Sequence, residues 1–230
     1  MTGRGADSTP VAARIRPLRL VIHDRLTKGR LLTLDAVQAC VSHLKGGGLA
    51  VLPTETGYML AADATSEAAI DAVYAAKGRP PAKPIHVAVT SLEEIERYVQ
   101  LPDAARRTCA KLMPGPFTAV GLSRGVPDVL TAGTGTLGAR IPDAPVTLQI
   151  LHALGRPLSA TSHNRSGQPP DPDPVKAAEL LHGDHVIHVV VDPAAAVYDK
   201  PSTLVRFDSG SFEILRPGPV TAAAIAAAAV

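Results

Sequence analysis

The sequence predicts a single α/β domain of the α+β type, in which helices flank a twisted mixed sheet. Segments with helical periodicity alternate with short apolar runs that are typical of buried strands. The alternation is not strict, because the last three apolar runs follow one another, which favours a mixed sheet over a purely parallel one. The 230 residues suit one domain, and the 46% that are hydrophobic can form a sizeable core.

Helices are predicted where apolar residues recur at a spacing of three or four, and three of them follow Ser or Thr, both preferred N-caps. The first helix begins after Thr33 and ends at the glycines 46–48, which favour termination of a helix. The second begins after Thr65 or Ser66 and continues to Lys77. The remaining helices are predicted at 91–98, 103–112, 146–154 and 175–181.

Strands are predicted at short runs rich in Val, Ile and Leu that are bounded by Pro, Gly or polar residues. A short apolar–polar alternation lies at 18–22. The run 49–52 is expected to end at Pro53, because proline cannot donate a hydrogen bond to a neighbouring strand. The later strands are predicted at 85–89, 117–122, 137–141, 157–161, 186–191, 203–207 and 212–215.

Composition limits the classes of function. A net charge of +2 and an aromatic content of 3% argue against a bulk nucleic-acid binder and against a base-stacking surface. Cys40 and Cys109 lie far apart without a CxxC partner, so we expect two buried thiols rather than a disulfide or a zinc site. No stretch resembles a membrane span or a secretory signal, and we expect a cytoplasmic protein without membrane contact.

Two polar segments indicate an anion-binding site. Residues 77–84 read KGRPPAKP, and they hold Lys77, Arg79 and Lys83 in a proline-rich segment where the three cations can surround one anion. A solvated helix end stabilised by the helix dipole would explain these cations equally well. Residues 162–167 read SHNRSG and offer donors and acceptors after an apolar strand, although Asx and Ser turns alone would explain them. Together the segments favour nucleotide phosphates and carboxylates as ligands.

Polar residues at strand ends extend this site. Thr54 and Thr56 follow a buried strand, and open α/β sheets bind ligands at the carboxyl ends of strands, but an ordinary hydroxyl-capped turn is the alternative. Arg140 lies in an apolar strand and therefore needs either an acidic partner or an anionic ligand. His86 and His163 are expected to be hydrogen-bonded polar residues rather than ligands or bases. With no Walker A motif and no GxGxxG after a strand, any nucleotide would be held by another design.

Seven motifs follow one another across residues 45–220: PTET, KGRPPAKP, MPGPFT, GARIP, TSHNRSG, PSTLV and ILRPG. Each is weak alone, but the ordered set resembles the YrdC-like family, the threonylcarbamoyl-AMP synthases. The resemblance implies a twisted sheet around a concave cationic cavity. It also implies a nucleotidyltransferase that condenses L-threonine, bicarbonate and ATP to threonylcarbamoyl-AMP and pyrophosphate. Mg²⁺ would accompany the phosphates, and a partner transferase would use the product to modify tRNA.

The resemblance further implies roles for individual residues and limits for the domain. Lys77 and Arg79 would be catalytic, and no residue would be a metal ligand. Threonine would be contacted by Thr56, Arg140, Ser162 and Ser202. The nucleotide would be contacted by Arg79, Lys83, Thr136, Asn164 and Arg216. The catalytic domain is expected at 31–220, after a partly flexible N-terminal extension at 1–30 and before an Ala-rich tail at 221–230. The chain resembles the short form of the family, which is expected to lack an extra C-terminal domain.

The chain departs from the family pattern at two motifs. PTDTVYGL is replaced by PTETGYML, so that Gly57 removes a side chain and Met59 adds one beside the expected amino-acid pocket. SAN is replaced by SHN, so that His163 adds an imidazole beside the nucleotide loop. These changes leave open a carbamoyl- or acyl-adenylate enzyme of the same fold with a different acceptor. A non-catalytic RNA-binding module is a third hypothesis, which the low net charge and scarce aromatics disfavour.

Overall fold

The computed structural model describes residues 18–198, 200–208 and 211–230. Within these residues, eleven strands form one mixed sheet with helices on both faces, which confirms the predicted fold class. The loose tail predicted at 1–16 lies outside the described residues.

The helices and strands largely follow the predicted ones. The helices are α1 (Leu34–Lys45), α2 (Glu67–Lys77), α3 (Leu92–Tyr98), α4 (Asp103–Leu112), α5 (Asp128–Thr131), α6 (Pro145–Leu154), α7 (Pro174–Glu179) and α8 (Ala222–Ala229). The strands are β1 (Arg19–His23), β2 (Leu49–Thr54), β3 (Gly57–Ala61), β4 (His86–Ala88), β5 (Val99–Gln100), β6 (Phe117–Ser123), β7 (Thr136–Arg140), β8 (Leu158–Ser162), β9 (Val186–Val190), β10 (Thr203–Asp208) and β11 (Ser211–Arg216).

The order of strands across the sheet is β1-β9-β2-β3-β8-β4-β7-β6-β10-β11, and β5 pairs with β6. β2 pairs antiparallel with β3, which pairs antiparallel with β8, and β8 pairs antiparallel with β4. The C-terminal ends of β2 and β8 therefore lie beside the first residues of β3 and β4. This arrangement brings the polar loops of four strands to one side of the sheet.

Alternating residues of β2 enter two different cores. Leu49 and Val51 belong to the cluster that includes α2, whereas Ala50 and Leu52 belong to the cluster that includes α1 and α6. All six residues of β2 are buried. A strand covered on both faces lacks the polar alternation of a half-exposed strand, which is why this run reads as uniformly apolar.

The prediction that Pro53 ends its strand was wrong. β2 continues to Thr54, with Pro53 opposite Tyr58 of β3, and a two-residue turn joins the strands. Gly57 follows that turn with φ of 106°, a conformation that glycine adopts without strain. β3 itself was not predicted, because its five residues carry no clear alternation and directly follow the polar PTET motif.

The limits predicted for the folded domain were too narrow at both ends. β1 lies within the expected N-terminal extension, yet it pairs in parallel with β9 along Arg19–His23. α8 lies within the expected tail, yet it packs on α4 and buries Ile225 and Ala228. Arg107 Nε also donates to the Ala229 carbonyl at 2.9 Å. Both segments are therefore part of the domain.

Candidate active site

A cavity of about 820 Å³ opens beside the sheet. Its walls are formed by the β2–β3 turn, the first residues of β4, the loop after β8, residues 170–172, and residues 196, 198 and 200–202. Such a volume is typical of sites for nucleotide-sized ligands. The described lining contains Arg79, Arg140, Lys200 and Arg216 but only one carboxylate, that of Asp171, so the cavity is cationic.

Seven of the ten residues proposed from the sequence line this cavity. They are Thr56, Arg79, Arg140, Ser162, Asn164, Ser202 and Arg216. They come from segments up to 160 residues apart in the chain (56 to 216), so the fold assembles them. Lys77, Lys83 and Thr136 are not among the lining residues.

Arg140 is buried at the end of β7 and forms an ion pair with Glu55. The side chains of Arg140 and Glu55 are only 9% and 3% exposed. The guanidinium also donates from Nη1 to Thr56 Oγ1 at 3.0 Å, and Glu55 Oε2 accepts from the Asp143 amide at 3.0 Å. The sequence left open whether Arg140 has an acidic partner or an anionic ligand. The structure provides the acidic partner, from the turn that also provides Thr56.

Arg79 and Arg216 are held differently, by backbone carbonyls. Arg79 donates from Nε to Lys83 O at 3.1 Å and from Nη2 to Pro84 O at 2.8 Å. Arg216 donates from Nε and Nη2 to Ser202 O at 3.2 and 3.0 Å. Neither forms an ion pair with a carboxylate among the described residues. Their positive charges therefore remain available to an anion, in an orientation that the backbone fixes.

Ser202 lies in a compact hydroxyl cluster. Its Oγ is 2.7 Å from Thr118 Oγ1 and accepts from Arg216 Nη2 at 3.1 Å. Gly218 allows this packing, because a Cβ there would lie 2.4 Å from Pro201 O and 2.5 Å from the Thr203 amide nitrogen. Thr118 was missed from the sequence, although it belongs to the MPGPFT motif and follows the buried Phe117 in β6.

Lys77 lies beneath the cavity rather than in it. It is the last residue of α2, it is 2% exposed, and its ammonium donates to the carbonyls of Ser162 and Asn164. Burial and the nearby charge of Arg79 lower the pKa of Lys77 to about 7. The ammonium thus supports the loop that carries two lining residues, and the catalytic role expected for Lys77 stays a prediction.

His163 lines the cavity, but both of its ring nitrogens face backbone carbonyls. Its ring is buried and lies between two carbonyls, with Nδ1 3.0 Å from Tyr58 O and Nε2 3.0 Å from Asp171 O. Burial lowers the pKa of His163, although both carbonyl contacts oppose the shift. This imidazole thus ties the loop after β8 to β3 and to the proline-rich segment 169–174, all of which contribute to the cavity wall.

Tyr58 is fixed in turn by the segment that follows β9. Its hydroxyl donates to Asp192 O at 3.0 Å and accepts from the Asp192 amide at 3.1 Å. Arg30 binds the Asp192 carboxylate, with Nη2 2.7 Å from Oδ2. Met59, the other departure from the family motif, lines the cavity but is 5% exposed and packs into the core with α1 and α6. Gly57 leaves open space, since a Cβ there would meet no atom within 4 Å.

Two proposed nucleotide residues lie away from the cavity lining. Lys83 is exposed, and it contributes its backbone carbonyl to the site rather than its ammonium. This carbonyl accepts a hydrogen bond from Arg79 and another, of 2.8 Å, from the Tyr74 hydroxyl. Thr136 lies at the start of β7, where its hydroxyl is 3.1 Å from Thr134 Oγ1, and it lines a separate shallow groove beside Leu122. The structure does not bring these two side chains together with the seven lining residues.

Comparison with known proteins matches this arrangement to one family. The family model Sua5_yciO_yrdC, described as "Telomere recombination", matches residues 42–218. A curated relative from Mycobacterium tuberculosis is 36% identical over 194 residues, which cover 83% of this chain and 87% of the relative. The threonylcarbamoyl-AMP synthases of Pyrococcus abyssi and Mus musculus are 31% and 34% identical, covering 79% and 80% of this chain and 54% and 67% of theirs.

Solved structures agree with the sequence comparison. Pyrococcus abyssi Sua5 complexed with L-threonine superposes with a TM-score of 0.78 and 27% identity over 92% of this chain, which spans 60% of the Sua5 chain. YciO of Escherichia coli shares the fold, with a TM-score of 0.73 and 22% identity over 92% of this chain and all of YciO. The chain thus belongs to the Sua5/YciO/YrdC family, together with the curated threonylcarbamoyl-AMP synthases.

Proposed function

We propose that this protein is a nucleotidyltransferase that forms threonylcarbamoyl-AMP from L-threonine, bicarbonate and ATP. The threonine amine adds to bicarbonate with loss of water and gives a carbamate. A carbamate oxygen then attacks the α-phosphorus of ATP, the bond between the α-phosphorus and the α,β-bridging oxygen breaks, and pyrophosphate leaves. The product carries an activated threonylcarbamoyl group that a partner transferase would move to tRNA. Relatives bearing the synthase name support this assignment.

The observation that carries the proposal is the set of three arginines around one cavity. The reaction gathers a carboxylate, a carbamate and a triphosphate, and these anions repel one another unless cations separate them. Arg79 and Arg216 have no acidic partner among the described residues, so we assign them to the nucleotide phosphates. Asn164 lines the same cavity and is assigned to the nucleotide as well.

The amino acid is assigned to the part of the cavity near Arg140. The hydroxyls of Thr56, Ser162 and Ser202 line the cavity and can accept or donate hydrogen bonds to a carboxylate, amine or hydroxyl. Arg140 is partly neutralised by Glu55, which suits a ligand that carries one negative charge rather than several. The complex of Pyrococcus abyssi Sua5 with L-threonine supports threonine as the amino acid.

The carbamate oxygen is itself the nucleophile in this proposal, so the reaction needs none from the protein, and positioning and electrostatic stabilisation carry it. The arginines stabilise charge on the phosphates as the bond to pyrophosphate breaks. Mg²⁺ would be held mainly by the phosphate oxygens, because Asp171 is the one carboxylate among the described lining residues. When bound, the metal would supply charge neutralisation at the leaving pyrophosphate.

The deciding experiment is pyrophosphate release from ATP and bicarbonate with purified protein. Release that depends on L-threonine is expected, with L-serine, other amino acids and carbamoyl phosphate as comparison substrates. Release only with another acceptor would retain the adenylate chemistry and transfer the amino-acid assignment to that acceptor. No release with any substrate would contradict the proposed function.

A further inference from the structure

His86, which the sequence indicated as an ordinary hydrogen-bonded polar residue, lies on the floor of the cavity. It is the first residue of β4, where it pairs with Ala160 of β8, and both residues line the cavity. On the other side of β4, the register with β7 places Gly138 next to His86. The imidazole is therefore flanked by two small residues on the neighbouring strands.

Gly138 provides the space that the ring occupies. A Cβ at position 138 would lie 2.3 Å from His86 Nδ1, closer than any real contact, so no residue other than glycine fits beside this ring. Nδ1 is enclosed there and has no hydrogen-bond partner among the described residues. A buried N–H without an acceptor is rarely tolerated, whereas an unfilled lone pair is tolerated somewhat more often. Nδ1 is accordingly assigned as the unprotonated nitrogen, which places the proton on Nε2.

Nε2 is then a free donor. It makes no hydrogen bond to a described residue, and His86 as a whole is only partly buried although its Nδ1 is enclosed. Because His86 lines the cavity, Nε2 is the nitrogen that a ligand can reach. A donor left without a partner in a cationic cavity is suited to an anionic oxygen.

The charges around His86 keep it neutral. Burial, together with the positive charges of Arg216, Arg79 and Arg140, lowers the pKa of His86 to about 3. The ring therefore adds a hydrogen-bond donor between three guanidinium groups without adding a fourth positive charge. The same low pKa makes it a poor general base near neutral pH, which leaves hydrogen bonding as its chemistry.

We propose that His86 is a substrate-binding residue, whose Nε2–H donates a hydrogen bond to an anionic oxygen of a bound substrate. This inference rests on the proposed function for the identity of the substrates. The oxygen belongs either to a nucleotide phosphate or to the carboxylate or carbamate of the amino acid. Both remain possible because the ring feels the positive charges of Arg79 and Arg216, assigned to the nucleotide, and of Arg140, assigned to the amino acid.

The test compares variants that keep or remove the donor. His86→Gln retains an N–H donor near the position of Nε2, and His86→Leu fills similar space without a donor. His152→Leu, on the exposed surface of α6, is the matched control. Calorimetric titration with inorganic pyrophosphate and, separately, with L-threonine is expected to show that His86→Leu weakens one of the two by roughly 10- to 100-fold. His86→Gln is expected to bind within a few-fold of the original chain.

The ligand that loses affinity identifies the source of the oxygen. Equal binding by His86→Leu and the original chain would overturn the inference. An equal loss of affinity in His86→Gln and His86→Leu would also overturn it, because it would indicate a packing role for the ring. Nitrogen NMR of the original chain gives a readout independent of folding: pyrophosphate or threonine must shift the Nε2 resonance of His86, and an unmoved resonance overturns the inference. Threonine-dependent pyrophosphate release tests the proposed function separately, so each proposal can fail alone.

Discussion

The cavity holds its arginines in two contrasting ways. Arg140 is neutralised by the buried carboxylate of Glu55, whereas Arg79 and Arg216 are fixed by backbone carbonyls, which orient a guanidinium without cancelling its charge. One side of the site is therefore close to neutral before a ligand arrives, and the other keeps two positive charges. A polyanion is expected to bind the second side and a singly charged ligand the first. In the proposed function, the same residue type would therefore serve two ligands, according to what holds each guanidinium.

The largest effect is expected from the carbonyl-held arginines. Arg79→Ala or Arg216→Ala should lower kcat/KM for ATP by roughly 10²–10³-fold, because each removes a preorganised charge at the phosphates. Arg97→Ala, on the exposed face of α3, is the control and should change little. Steady-state kinetics with ATP and threonine varied separately make the measurement, and thermal melting checks the fold. An equal rise in KM for both substrates would remove the contrast between the two sides.

For Arg140, which is paired with Glu55, removal of the partner is expected to lower the stability of the fold. Glu55→Gln leaves Arg140 buried without a full counter-charge and should lower the free energy of unfolding by about 3 kcal/mol. L-threonine should then raise the melting temperature more in this variant than in the original chain, because its carboxylate can supply the missing charge. Glu213→Gln breaks the exposed pair with Arg206 and should cost little. Similar stability losses in urea unfolding of the two variants would contradict the assigned burial of the Arg140 pair.

Lys77, which supports the loop after β8, should make the free energy of unfolding depend on pH. Its pKa is lowered from 10.5 to about 7 in the folded chain, so between these values the unfolded chain binds a proton that the folded chain releases. Stability contributed by this group therefore rises with pH across that window, by at most about 1.4 kcal/mol per pH unit. Urea unfolding from pH 6 to 10 should show this rise in the original chain relative to Lys77→Met. Parallel pH curves would refute it.

The smallest effect is expected at His163, which ties the proline-rich segment to the cavity wall. His163→Ala removes both carbonyl contacts and should cost about 1 kcal/mol of unfolding free energy. The side-chain amide of Asn lies near the position of Nδ1, so His163→Asn should preserve the contact to Tyr58 O. The side-chain amide of Gln lies near the position of Nε2, so His163→Gln should preserve the contact to Asp171 O. Hydrogen exchange of the Gln168, Asp171 and Asp173 amides should be slower in His163→Gln than in His163→Ala. Identical exchange in the two variants would show that the Asp171 contact is not what holds this segment.

Most elements were predictable because their signals are local. Thr33 and Ser91, as predicted, each accept a hydrogen bond from the amide three residues on. Of the two caps left open for the second helix, Ser66 makes this bond. α4 has the predicted bounds, Asp103–Leu112. β3 was missed because pairing with β2 and β8, rather than its own residues, makes it a strand. α8 was missed although alanine is a strong helix former, because a helix of eight residues is marginal by itself and depends on packing against α4.

The sequence by itself determined the fold class, the order of most elements and the segments that meet at the cavity. Only the tertiary structure decided which side chains share that cavity and which face away. It paired Arg140 with Glu55, 85 residues apart, turned Lys77 and His163 onto backbone carbonyls, and left His86 facing the ligand space. The physical reason is that capping and periodicity act over a few residues. Ion pairing and burial depend instead on which distant strands become neighbours.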